Sequence, residues 1–158
     1  MEEHLMTPTH GASRRAFLGT AAGGFAAMAL APAIALADAK MVADEIKKLV
    51  GDKTPKDGRI KLDLPSIAEN GLVVPLSFEV ESPMTADDYV KSVHFFAEGN
   101  PSPLVASFMF TPLSPKAAAS IRIRLAKTQD IVAVAEMSNG DVYTARKEVK
   151  VTIGGCGG

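Results

Sequence analysis

Ile131-Val132-Ala133-Val134-Ala135-Glu136-Met137, followed by Ser138-Asn139-Gly140-Asp141 and a second run from Val142 to Ile153, is the stretch on which the fold turns. The first run is nearly continuous in apolar residues, which suits a strand buried on both faces. Asn-Gly between two such runs is the strongest short-range hairpin signal, because a tight connection needs residues that accept positive φ. In the second run Ala145, Lys147, Val149, Val151 and Ile153 share one face, with Lys147 the misfit. Two long runs joined in this way predict antiparallel strands.

Upstream the same period of two recurs. Ile60, Leu62 and Leu64 alternate with Lys61 and Asp63, and Val74, Leu76, Phe78 and Val80 form a second run. Pro75 lacks an amide hydrogen, so it points to an edge or a strand end. Tyr89 to Ala97, Leu104 to Phe110, and Ile121, Ile123 and Leu125 interleaved with Arg122 and Arg124 complete the set. Seven runs separated by Pro, Gly, Asn and Asp clusters predict an all-β fold, an immunoglobulin-like antiparallel β-sandwich of about seven strands. No alternation of strands with long helices suggests a parallel α/β enzyme, and no internal repeat is evident.

Before the strands the period is helical. Val42, Ile46, Leu49 and Val50 make one apolar stripe, Asp38 or Asp44 suits the start, Lys47 and Lys48 suit the last turn, and Gly51 suits the stop. The stripe must lie on its own domain or on a partner. Residues 51 to 58, with Asp52, Lys53, Pro55 and Lys56, read as a solvated connector. The chain is thereby divided into a leader (1–37), a helix and connector (38–58), a β-sandwich (59–153) and a C-terminal arm (154–158).

The leader reads as an export signal. Arg14 and Arg15 stand just before Ala16 to Ala37, 22 positions without a charged side chain, of which only seven are large and apolar. Such a segment is long enough for a bilayer but only marginally apolar, and Ala35-Leu36-Ala37 offers small residues for cleavage after Ala37. The paired arginines followed by Phe17-Leu18 resemble a twin-arginine (Tat) signal, although Gly19 stands where lysine is common. Cleavage predicts a periplasmic protein with no stable membrane anchor, exported folded through the Tat machinery; a partner without its own signal can travel with it.

Composition excludes several functions. The 158 residues carry 17 Lys and Arg against 18 Asp and Glu, so no basic surplus exists for nucleic acid or an anionic membrane. One cysteine forbids an internal disulfide and a Cys-rich zinc site. His94, the only histidine after the leader, sits beside Phe95 and Phe96 and reads as structural or surface rather than as a base. Asp87-Asp88 is a carboxylate pair without co-ligands, Arg122 and Arg124 read as a solvated strand face, and Met84, Met109 and Met137 are too scattered for a copper site. No cofactor and no metal are predicted.

The exceptional feature is the end, Gly154-Gly155-Cys156-Gly157-Gly158. Four glycines lose much backbone entropy on ordering and bury no side chain in return, which predicts a mobile arm. From Ile153 the thiol would reach about 10 Å. With no bulk on either side, Cys156 can enter a narrow enzyme cleft. A catalytic cysteine instead needs a base, a cation or a helix N-terminus and a fixed position. On its composition the arm is a handle to be presented to other enzymes; a redox enzyme using Cys156 directly, and a structural subunit joined by an intermolecular disulfide, are the alternatives.

At these residues the sequence resembles the SoxY family, the sulfur-carrier subunits of the periplasmic thiosulfate-oxidising Sox system. Gly154 to Gly158 matches that family's terminal GGCGG arm, preceded by Val149-Lys150-Val151-Thr152-Ile153. Further likeness lies in Glu69-Asn70-Gly71, Val74-Pro75, Ser82-Pro83-Met84-Thr85, Asp88-Tyr89-Val90, Asn100-Pro101, Phe110-Thr111-Pro112 and Arg122-Ile123-Arg124-Leu125-Ala126. The resemblance implies a heterodimer with SoxZ and covalent carriage of thiosulfate-derived sulfur on Cys156. It further implies loading by the haem-containing SoxAX, release of sulfate by the metal-dependent hydrolase SoxB, and oxidation of the remaining sulfur by a sulfane dehydrogenase. The carrier itself performs none of these steps.

Overall fold

The computed structural model describes residues 38–155, which form one helix, α1 (Ala39–Val50), and nine strands. The strands are β1 (Lys56–Asp57), β2 (Ile60–Asp63), β3 (Ile67–Asn70), β4 (Val74–Val80), β5 (Val90–Ala97), β6 (Leu104–Met109), β7 (Ala117–Ile123), β8 (Gln129–Met137) and β9 (Val142–Ile153). The larger sheet runs β1-β9-β8-β5-β6, with β3 also on the outer edge of β9; the smaller runs β2-β4-β7. The expected two-layer β architecture is present, with nine strands instead of seven.

The β8–β9 hairpin is the backbone of the larger sheet, antiparallel from Gln129↔Val149 to Glu136↔Val142. Gly140 takes φ 88°, its N–H donates to the Met137 carbonyl at 3.0 Å, and Met137 N–H donates to the Asp141 carbonyl at 2.9 Å. The unbroken apolar character of Ile131–Met137 has a direct cause. Ile131, Ala133, Ala135 and Met137 face the core between the sheets, while Val132 and Val134 face the helix.

Between the sheets the core is built on aromatic contacts. Phe78 of β4 lies 4.9 Å from Phe95 of β5 and 5.0 Å from Phe108 of β6, ring centre to ring centre, and Phe110 completes the group. Tilted and edge-on arrangements of this kind suit the aromatic quadrupole. Leu76, Leu125 and Val149 are fully enclosed in the same core.

Helix α1 begins at Asp38, whose carboxylate accepts from Met41 N–H at 2.9 Å. It ends at Gly51, φ 70°, whose N–H donates to the Lys47 carbonyl at 2.8 Å. Val42, Ile46 and Val50 lie on Phe96, Val132, Val134 and Val142, so the helix packs on its own domain. Leu49, expected in the stripe, is 44% exposed. At 100° per residue it stands a full step from Val50, at the edge of a stripe that Val42, Ile46 and Val50 already fill.

Residues 51–58 of the connector are all exposed, and within them Lys56 and Asp57 pair with Tyr143 and Thr144 as β1. The expectation of a purely antiparallel sheet is corrected, since β1 and β3 both run parallel to β9. Pro75 is at a strand end, though β4 is the central strand of its sheet. Strand β2 pairs only Ser77–Val80, so the proline falls where that side of β4 has no partner. Among the described residues no helix is long and apolar enough to cross a membrane.

Candidate functional site

The site begins where β9 ends. Strand β3 runs beside the last residues of β9, with Asn70 in register with Ile153. Past Asn70 the chain turns, the Asn70 side-chain oxygen accepting from Leu72 N–H at 2.9 Å. Inside that turn Gly71 N–H donates to the Ile153 carbonyl at 2.7 Å. Leu125 N–H donates to the Gly71 carbonyl at 2.8 Å, and Gly155 N–H donates to the Leu125 carbonyl at 2.9 Å. Three segments distant in sequence are thus tied through their peptide groups.

Only glycine fits this junction. A Cβ on Gly71 would run into the Leu125 carbonyl oxygen, and one on Gly154 into the carbonyl oxygen of Ala126. A Cβ on Gly155 would stand 2.8 Å from the Gly71 carbonyl oxygen. Gly155 is buried. Gly154 and Gly155, the first residues of the expected arm, thus border this junction. Their lack of side chains serves close backbone approach, and the amide of Gly155 is held. Cys156, Gly157 and Gly158 lie outside the described residues, as do Arg14 and Arg15 of the leader.

The remaining candidates do not converge on this junction. His94 is buried on the outer face of β5, its Nδ1 2.8 Å from the Ser107 hydroxyl. Burial pushes its pKa below the usual 6.5, with Glu136 opposing. Asp88 belongs to a turn, its carbonyl accepting from Thr85 N–H at 3.0 Å and its carboxylate 3.5 Å from Arg59. Arg122 and Arg124 are exposed and alternate with buried Ile123 and Leu125, as a solvated face does. Met84 and Met137 are buried, whereas Met109 is 73% exposed. Among the described residues no group of three or more His, Cys, Asp or Glu is placed to hold a metal ion.

Residues 46–156 match the family model for the sulfur oxidation protein SoxY. The chain belongs to the SoxY family. Its fold agrees with a solved structure of the sulfur carrier protein SoxY from Chlorobium limicola f. thiosulfatophilum, with TM-score 0.63 and 35% sequence identity over 73% of this chain and 100% of that one. A superoxide reductase (neelaredoxin) from Ignicoccus hospitalis shares the fold more distantly, at TM-score 0.52 and 17% identity over 73% of this chain and 94% of that one. That likeness shows fold alone. No curated protein matches the chain.

Gly71 and Leu125 are parts of the site that their local sequence does not mark. Both lie in segments that match the SoxY family, Glu69-Asn70-Gly71 and Arg122 to Ala126. Nothing local in either segment points to the other.

Proposed function

We propose that this chain is a covalent carrier of sulfur intermediates, loaded on Cys156, and that it performs no redox step itself. One observation carries the reading: in a chain of the SoxY family, the lone cysteine follows directly on the residue at which the peptide anchor ends. The last described residue, Gly155, is bonded at one end of the larger sheet, and in sequence Cys156 comes next, with glycines on both sides and no bulky neighbour.

In the loading step the Cys156 thiol and the sulfane sulfur of thiosulfate form an S–S bond, losing one proton and two electrons. The haem enzyme SoxAX accepts the electrons. In the next step the hydrolase SoxB adds water to the terminal sulfonate, breaking its S–S bond to release sulfate and two protons and leaving a persulfide anion on Cys156. Sulfane dehydrogenase oxidises that sulfur. Because the cargo is held by a bond, the carrier needs no basic pocket, which accounts for a chain of formal charge −1 binding an anion. The carrier works as a heterodimer with SoxZ in the periplasm. The leader at Arg14-Arg15 directs Tat export, and cleavage after Ala37 leaves Asp38, the cap of α1, as the first residue.

Intact-mass analysis of the exported protein tests all of this at once. The expected result is a chain starting at Asp38, with sulfur adducts on the C-terminal peptide that a reductant removes. Cys156→Ser should keep the fold and reduce thiosulfate oxidation by the reconstituted system to background. Full oxidation by that variant, or turnover by the purified subunit alone, would overturn the reading.

A further inference from the structure

The peptide junction at Gly155 has a support of its own. Asn100, in the connection between β5 and β6, is 1% exposed, and its side chain is bonded at both ends. Its Nδ2 donates to the Arg124 carbonyl at 2.9 Å, and its Oδ1 accepts from Ala126 N–H at 3.0 Å. These two peptide groups flank Leu125, whose own N–H and carbonyl hold Gly71 and Gly155. Buried Gln129 braces Asn100 in turn. Its Nε2 donates to Asn100 Oδ1 at 2.9 Å and to the Lys127 carbonyl at 3.0 Å, while its Oε1 accepts from Gly99 N–H at 2.6 Å. A buried amide with its hydrogen-bonding groups used in this way holds one backbone geometry.

We propose that Asn100 and Gly71 are positioning residues that fix Gly155 as the pivot of the carrier thiol, an inference that rests on the carrier reading of Cys156. Asn100 sets the segment 124–126, Leu125 presents its carbonyl to Gly155, and Gly71 allows the two backbones to meet. Covalent geometry ties the Cys156 Cα about 3.8 Å from that of Gly155, in place of a tether running from Ile153. A partner enzyme meets the loaded sulfur at one place on the sandwich, and it has two fewer backbone residues to order when the arm enters its cleft. Loss of the pivot returns that ordering entropy to the encounter, raising KM and leaving the chemistry of the partner's active site, and so kcat, as it was.

The carrier purified with its partner subunit supplies both measurements. Amide exchange read at residue 155 should be slowed about 10- to 100-fold relative to an unprotected amide, and Gly155→Ala and Asn100→Ala should each abolish that protection. With thiosulfate-loaded carrier as substrate for the hydrolase, both variants should raise KM about tenfold with kcat within about twofold. Gly155→Ala lies beyond the last strand, so it carries the test even where Asn100→Ala fails to fold. Inserting two glycines between Gly155 and Cys156 should raise KM while leaving residue 155 protected. Unprotected exchange at Gly155 in the wild type, or an unchanged KM in Gly155→Ala, would overturn the pivot. Failure of the carrier reading shows separately, as oxidation by Cys156→Ser, and leaves the exchange result untouched.

Discussion

His94 and its surroundings illustrate how a single residue makes stability depend on pH. The ring is enclosed on the outer face of β5 against the Ser107 hydroxyl, and burial disfavours its charged form more than Glu136 favours it. Glu136 is itself pulled upward by burial, but Lys53 at 3.1 Å and Lys91 at 3.5 Å outweigh that and hold its carboxyl below the usual range. The unfolded chain takes up a proton at His94 near the ordinary value of 6.5, whereas the fold resists it until a lower pH. More protons are then bound by the unfolded state, so stability falls as pH falls through that window. Urea midpoints should drop as pH is lowered through the ordinary histidine value of 6.5, and His94→Gln should flatten the slope there. A slope unchanged in the variant would assign the effect to other groups.

At the scale of elements, α1 shows which part of an amphipathic stripe is used. Val42 and Val50 are 1% and 6% exposed, and Leu49 is 44% exposed. Val42→Ala removes fully enclosed methyl groups and is expected to cost about 2 kcal/mol, while Leu49→Ala should cost under about 0.5 kcal/mol. Asp38→Ala removes the cap bond to Met41 N–H and should cost about 1 kcal/mol. Chemical denaturation ranks the three. An equal effect at Leu49 and Val42 would mean that the helix seats on a different face. Strands β1 and β3 teach the opposite lesson. Lys56-Asp57 is two exposed residues, and in β3 only Ala68 is buried. Neither carries a pattern to read, because the long open edge of β9 supplies their hydrogen bonds.

For the molecule as a whole, the two sheets share one core, in which Phe78 reaches across from β4 to Phe95 and Phe108. Phe78→Ala should cost about 3–5 kcal/mol, read as a shifted urea midpoint with little change in slope, and Phe78→Leu distinctly less. A loss of under about 1 kcal/mol for Phe78→Ala would show that the sheets close on the cavity without it. The strands that bury both faces or alternate strictly, and the hairpin at Asn139-Gly140, are legible in the sequence, because side-chain periodicity and turn chemistry act over a few residues. The same holds for the helix with its cap and for the lone cysteine among glycines, which composition alone marks. The meeting of Gly71, Leu125 and Gly155 over the Asn100 side chain is not legible there. Those contacts join backbone groups far apart in the chain, and a peptide N–H or carbonyl looks alike at every position until the fold decides which ones come within hydrogen-bonding distance.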